Sequence, residues 1–414
     1  MKFSALFKGD QAVLRGNFLL ITISWIIMFT AQPIPETYAS LYYLHLGANE
    51  FMLAIMGFAG SIAVALVQFP GGYIADKHGR RRLIVTMTFG MAIGSLFFVL
   101  APSWEFILIG LLVQNICSIY GPALMAMVID SLPSNSRGAG FSFQSVITTL
   151  VLIPAPLIAQ YLVASFNFDL GMRIAYSLTT TAYFIIAILR LRLTETLPAN
   201  REKAKTGLLY ALRSYPTAVK ESICVWGKLP KSAFNLFLAI IIVNGLVVAC
   251  QMYFVVYATT TLTITLNQWA LVMTFRYLTI AIPAIIAGFY MDTLGRKRFL
   301  ILGYLLYIPG MLLFIVADFN LLLISFFFFG LGNLLQLNSY QVLMGDLVPR
   351  NLRGTATGCL QFFMFIMQAI LQISIGLLYV YVSPQLPFIL LALAMIPLSL
   401  FVLRCVHEPT VREA

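Results

Sequence analysis

The sequence predicts an all-α membrane protein of twelve transmembrane helices, arranged as two six-helix bundles related by pseudo-twofold symmetry, and three observations carry that prediction. Of 414 residues, 60% are hydrophobic and only 10% charged, too few polar groups to clothe a water-soluble core, so lipid has to be the solvent. Apolar runs of about 20 residues, the length that crosses roughly 30 Å of hydrocarbon at 1.5 Å per residue, recur along the whole chain. Two charged clusters of the first half return in the second half at one constant spacing.

The apolar runs place helices near 15–45, 51–75, 82–101, 104–130, 138–165, 170–191, 233–260, 268–291, 297–317, 320–346, 354–382 and 385–404. The first starts near Asn17, is too long for a signal-peptide core and is not followed by a small-residue cleavage site, so it is expected to be retained. With helices alternating in direction, 24 of the 26 Lys and Arg residues fall on one side together with both termini, Arg173 and Arg276 being the exceptions. Basic loops resist translocation, so that side is expected to be cytoplasmic, in an inner or plasma membrane. The opposite connections, such as Leu46–Glu50 and Asp318–Phe319, are too short to fold by themselves.

Domain limits follow as 1–193 for the first bundle, 194–232 for a cytoplasmic linker and 233–414 for the second bundle. Lys and Arg alternate with Leu208, Leu209, Leu212 and Trp226 in the linker, which reads either as a basic amphipathic helix on anionic lipid or as a solvated connection. The net charge of +11 sits in loops at the membrane, which points to anionic lipids and not to nucleic acid. Five scattered cysteines and three distant histidines form no metal-ligand spacing, and no P-loop, GxSxG or paired-His motif is present. Neither an enzyme nor a bound cofactor is expected, which leaves ion gradients, protons among them, as a source of driving force.

The repeat is the most specific signal. Gly72-x3-Asp76-x2-Gly79-Arg80-Arg81-Arg82 returns as Gly288-x3-Asp292-x2-Gly295-Arg296-Lys297-Arg298, an offset of 216. Asp130-x2-Pro133-x3-Arg137-Gly138 returns as Asp346-x2-Pro349-x3-Arg353-Gly354 at the same offset of 216. A duplicated six-helix unit, its copies related by an axis along the membrane normal with a pathway between them, accounts for both.

GGYIADKHGRRR between the second and third helices, and GFYMDTLGRKR in its copy, resemble the signature loop of the major facilitator superfamily. IDSLPSNSRG and GDLVPRNLRG are similar to that superfamily's companion motif before the fifth and eleventh helices. The resemblance covers essentially the whole chain. It implies a secondary transporter that moves a small solute by alternating access, acting as a monomer, with the first, fourth, seventh and tenth helices around the central cavity. It further implies that Asp76 meets the amino end of the eleventh helix near Arg353, and Asp292 that of the fifth near Gly138. A carboxylate there is stabilised by free N–H groups and the helix dipole, by roughly 0.3–2 kcal/mol. Arg80 with Asp130 and Arg296 with Asp346 are the natural pairs within each half. The whole set (Gly72, Asp76, Gly79, Arg80, Asp130, Arg137 and Gly288, Asp292, Gly295, Arg296, Asp346, Arg353) is expected to gate and not to bind.

Few ionisable residues remain at membrane depth, where a charge costs from about 3 kcal/mol upward unless it meets water or a partner. Glu36 lies ten residues before Leu46, and Arg276 eight residues after Gln268, hence at comparable depths of about 15 and 12 Å from the outer helix ends. Trp25, Phe29, Gln32 and Glu36 fall on one face of a continuous first helix. Glu36 reads as a proton or substrate-charge group, or as a partner of Arg276; Arg276 reads as an anion or substrate contact, or as a counter-ion. Asn115 on the fourth helix, Asn244 and Gln251 on the seventh, and Asn333, Gln336 and Tyr340 on the tenth are candidate solute contacts, though each amide also suits a helix-to-helix bond. Proton-coupled transport, symport or antiport, is the leading expectation. An ion-independent facilitator and a non-transporting sensor of the same fold are the alternatives. Pro33 and Pro35 beside an acid resemble multidrug exporters, whereas VLIPAPLIAQYL in the fifth helix lacks the glycines of drug antiporters.

Overall fold

A computed structural model describes residues 16–132, 137–197, 227, 229–349 and 353–408, with the side chains of 69–78, 137–139, 141–143, 282, 284–294 and 353–355 excepted. It is all-helical over these residues. Eleven helices are long and apolar enough to cross a membrane, and the eighth, Leu266–Leu294, completes the twelve.

Contacts divide the chain into two compact units, Met1–Glu36 with Leu66–Tyr215, and Thr37–Ala65 with Pro216–Ala414. This is a grouping by touch, whereas the repeat is a relation of sequence. It assigns the connection between the first two helices, with the helical stretches on either side of it, to the unit that carries the seventh to twelfth helices.

Proline decides where the first, fourth and fifth spans break. The first span is not the continuous helix expected over 15–45: it runs Gly16–Ala31, Pro33–Glu36 and Ala39–His45. Pro33 and Pro35 bring no N–H to the carbonyls four residues earlier and their rings press on the preceding turn. The carbonyl that Pro35 leaves unserved, that of Ala31, accepts instead from Thr179 Oγ1 of the sixth helix, Phe168–Arg190, at 3.0 Å. The fourth span, Trp104–Cys117 then Gly121–Asp130, tightens to a 3₁₀ turn at Ser118–Tyr120 just before Pro122. The fifth, Arg137–Leu150 then Ala155–Phe166, bends at Pro154 and Pro156, where Ile153 and Ala155 donate to carbonyls three residues back.

A seam of polar bonds joins the first and sixth helices. Asn17 Nδ2 donates to the Thr194 carbonyl and its Oδ1 accepts from the Thr194 N–H, both at 2.8 Å. Beneath the seam Phe18, Ile21, Trp25, Ile84, Leu124 and Met127 form an apolar core.

The second unit is built on aromatic packing. Phe254 of the seventh helix, Lys231–Thr260, meets Phe314, Phe326, Phe329 and Phe388 at ring centroids 5.2–5.8 Å apart. The ninth and tenth helices, Arg296–Ile315 and Phe319–Leu347, touch backbone to backbone, because a Cβ on Gly303 would stand 3.0 Å from the Gly332 carbonyl oxygen. Thr37–Ala65 docks on this unit through small residues and a few hydrogen bonds. Ser61 Oγ donates to Gln372 Oε1 at 2.9 Å, Tyr253 OH to the Glu50 carbonyl at 2.9 Å, and Trp269 Nε1 to the Thr37 carbonyl at 3.0 Å.

Candidate functional site

The repeated loops have the same geometry in both units. Gly79 and Gly295 adopt φ 93°, ψ 134° and φ 95°, ψ 133°, a conformation that side-chain-bearing residues rarely take, so the tight turn between antiparallel helices requires glycine at both. Arg80 forms an ion pair with Asp130 and also donates to Thr196 Oγ1 at 3.2 Å; Arg296 pairs with Asp346. The side chains of Gly72, Asp76, Arg137, Gly288, Asp292 and Arg353, and with them the expected contacts to the fifth and eleventh helices, lie outside the described residues.

Two glutamates of this region escaped the sequence comparison. Glu195, just after the sixth helix, accepts from the N–H of Arg81 at 3.0 Å, and Glu408, just after the twelfth, from the N–H of Lys297 at 2.6 Å. Each carboxylate therefore caps the amino end of the helix that follows the signature loop, where free N–H groups and the dipole favour an anion. The basic residues reciprocate, Arg81 donating to the Leu191 carbonyl and Lys297 to that of Leu403, both at 2.7 Å. These glutamates stand 213 residues apart and not 216, so a constant offset passes over them.

At membrane depth the first unit presents Glu36. Its carboxylate ends the short Pro33–Glu36 turn, is exposed, and accepts from Gln32 Nε2 at 2.7 Å. The expected polar stripe with Trp25 and Phe29 is corrected here. Trp25 belongs to the apolar core and Phe29 packs against it, whereas the helix ends at Ala31, before Gln32 and the exposed Glu36. The two prolines cause this, since they interrupt the helical period on which the stripe depended.

Arg190, counted from sequence among the loop-side charges, is instead fully buried at the end of the sixth helix. Its Nη1 donates to Thr88 Oγ1 at 2.8 Å, its Nε and Nη2 to Ser24 Oγ at 3.3 Å, and it lies 5.1 Å over the Tyr120 ring. The hydroxyl of Tyr183 is within electrostatic reach of both Arg190 and Glu36. Arg173 is a clamp on the outer end of the third helix: it pairs with Asp169 at 2.9 Å and donates to the carbonyls of Val99 and Ala101 at 3.0 and 2.8 Å.

In the second unit Arg276 is half-buried with its guanidinium 5.0 Å from the centre of the Phe329 ring. Close by, Asn333 Nδ2 donates to Tyr307 OH at 3.3 Å, and Tyr307 OH donates to the buried Gln336 Oε1 at 2.7 Å. Gln336 thus ties the ninth helix to the tenth, while Asn333 and Tyr340 remain half-exposed. Asn244 and Gln251 are half-exposed positions on an otherwise largely buried seventh helix, and Asn115 is half-exposed on the fourth. The structure thus brings Glu36 together with Gln32, and Arg276 with Asn333 and Gln336 through Phe329 and Tyr307.

The chain matches the family model described as Major Facilitator Superfamily over residues 14–261 and 237–414. Among characterised relatives, a Na(+), Li(+), K(+)/H(+) antiporter of Planococcus maritimus is 27% identical over 244 residues, 54% of this chain and 53% of that protein. An uncharacterized MFS-type transporter, YqjV of Bacillus subtilis, is 27% identical over 150 residues, 34% of this chain and 36% of that protein. The chain thus spans about half the length, or less, of the curated relatives it matches. Solved structures share its fold over nearly all of both chains. A peptide transporter POT in complex with sulfate has a TM-score of 0.71 at 16% identity, covering 94% of this chain and 93% of that one. The nucleoside transporter NupG has a TM-score of 0.69 at 14% identity, covering 94% and 98%, and the human organic anion transporter MFSD10 one of 0.65 at 16%, covering 95% and 99%. With the family model matching from residue 14 through residue 414, this membrane-spanning chain belongs to the major facilitator superfamily of transporters.

Proposed function

We propose that the protein is a proton-coupled secondary transporter of a small solute, working by alternating access between halves 1–193 and 233–414 joined by the linker 194–232. It sits in an inner or plasma membrane with both termini in the cytoplasm, because the basic loops favour that side.

Glu36 carries the reading. A carboxylate at this depth costs from about 3 kcal/mol upward when ionised and unpaired, and it is retained here on a helix that prolines break open. One of its oxygens accepts from Gln32, the other is left for a proton, and the side chain is exposed. Within its unit no described cation pairs with it, so its charge is balanced by a mobile species: a proton in one state, a counter-ion of the solute in another. A relative that exchanges Na(+), Li(+) or K(+) for H(+) is in accord with such coupling.

The test is flux in reconstituted vesicles loaded with a pH-sensitive dye. Gradients of Na+, K+, and small organic acids and amines are imposed in turn. At least one is expected to drive proton movement through the native protein, and Glu36→Gln to abolish that movement. Undiminished solute-driven proton flux through Glu36→Gln would end the proposal.

A further inference from the structure

The three arginines at membrane depth are differently furnished. Arg173 has a carboxylate and two backbone carbonyls, and Arg190 has two hydroxyls and the Tyr120 ring. Arg276 has an aromatic ring and no hydrogen-bond acceptor among the described residues; its Nε is buried without a partner. A guanidinium that served structure alone would be expected to satisfy its donors as the other two do, since a buried donor without an acceptor loses its hydration with nothing in return.

Its position is nevertheless well fixed. Helix eight approaches helix ten at Gly330, where a Cβ would stand 2.5 Å from Thr279 Oγ1 and 3.5 Å from the Arg276 carbonyl oxygen. Thr279 Oγ1 donates to that same carbonyl at 2.7 Å. The ring under the guanidinium is itself immobilised: Phe329 is fully buried against Phe254 and Tyr307, each with ring centroids 5.2 Å away. A cation–π contact satisfies no N–H donor of a guanidinium, so the Nη donors of Arg276 stay open to an oxyanion. Asn333 stands beside the site with one amide hydrogen on Tyr307 and a second available. Ten residues, about 15 Å, from the start of its helix at Leu266, the side chain is too deep to reach headgroup phosphates, so lipid does not supply the missing anion.

We infer that Arg276, set over the Phe329 ring beside the Tyr307–Asn333 pair, is the recognition site for an oxyanion group of the transported solute: a carboxylate, sulfonate or phosphate on a body with some apolar surface. This rests on the transporter reading but not on the role of Glu36. A bare monovalent cation would gain nothing from such a site.

The full-length protein, purified in detergent at fixed ionic strength, is titrated with benzoate, benzenesulfonate and phenyl phosphate, and with benzyl alcohol and benzylammonium as neutral and cationic counterparts. Binding is followed by calorimetry and by the shift in thermal unfolding. At least one anion is expected to bind at least tenfold more tightly than either counterpart. Arg276→Gln is expected to lose that preference, Arg276→Lys to keep part of it, and Glu36→Gln to keep the anion preference while failing the proton-flux test. Equal binding of all five probes, binding of none, or an unchanged preference in Arg276→Gln would overturn the inference. Should Arg276→Gln not fold, the native titration and Arg276→Lys still decide it. Loss of proton coupling with anion binding intact separates failure of one proposal from failure of the other.

Discussion

Gly376 of the eleventh helix, Arg353–Tyr381, offers a sharp test of how the segment Thr37–Ala65 is held on its unit. A Cβ at Gly376 would stand 2.3 Å from Ala54 Cβ and 3.0 Å from Tyr253 OH. Carbon atoms reach optimal contact at about 3.5–4.0 Å, so the Gly376→Ala variant has to push the two helices apart by more than an ångström. Little nearby can yield. Ala54 is fully buried, Ser61 is bonded to Gln372 on the same pair of helices, and a Cβ on Gly57 would already crowd Gln372 at 2.9 Å. Overpacking of this kind costs about 1–3 kcal/mol, which corresponds to a shift of roughly 5–150-fold in favour of the undocked segment. The assay is maleimide labelling of Leu53→Cys, a fully buried position, in a background without native cysteines. Labelling is expected to accelerate at least fivefold in Gly376→Ala. Gly358→Ala on the same helix, where a Cβ meets nothing within 4 Å, should leave it unchanged. Equal labelling rates and equal melting temperatures for both variants would refute the argument.

Arg190→Lys is expected to lower thermal stability by about 1.5–3 kcal/mol, since one ammonium does not span Ser24 and Thr88 while covering Tyr120. Arg190→Met should be milder, because those hydroxyls already donate to the Ile21 and Ile84 carbonyls and no buried charge remains; melting in detergent ranks the two, and the reverse order contradicts the account. Glu195→Ala and Glu408→Ala each remove a helix cap worth about 1 kcal/mol, and because they share no partner the double variant should lose the sum, read from the same melting curves.

The regular part of this architecture was legible because it rests on composition and repetition. Twelve apolar runs and a constant offset report the membrane and the duplication, and Gly79 and Gly295 were readable because so few residues tolerate their backbone. The course of the first helix was harder. Pro33 and Pro35 stood in plain view, but a proline inside an apolar span kinks or breaks it according to whether another group serves the freed carbonyl. That group is Thr179, 148 residues away, and nothing local announces it. Glu195 and Glu408 were missed for a different reason: a cap depends on where a chain returns in space, and the two copies return after tails of unequal length.

Charge at membrane depth was the least legible, because one residue type there serves three ends and only its acceptors tell them apart. The sequence counts Arg190, near the end of the sixth helix, with the basic residues of the cytoplasmic side, yet hydroxyls on the first and third helices draw it wholly inside. Arg173, one of the two exceptions to the one-sided charge, is held by Asp169 and two carbonyls. Arg276 has the same chemistry, but among the described residues its guanidinium meets an aromatic face and no oxygen. A fixed cation on a rigid apolar platform has no structural bond to lose when a solute arrives, so the anion it meets contributes the whole of a charge-assisted contact to binding. Arg173, by contrast, would have to release Asp169 first. The distinction that matters for transport therefore lies in which arginine the fold leaves without an oxygen, a property of packing that becomes visible only once the partners of all three are known.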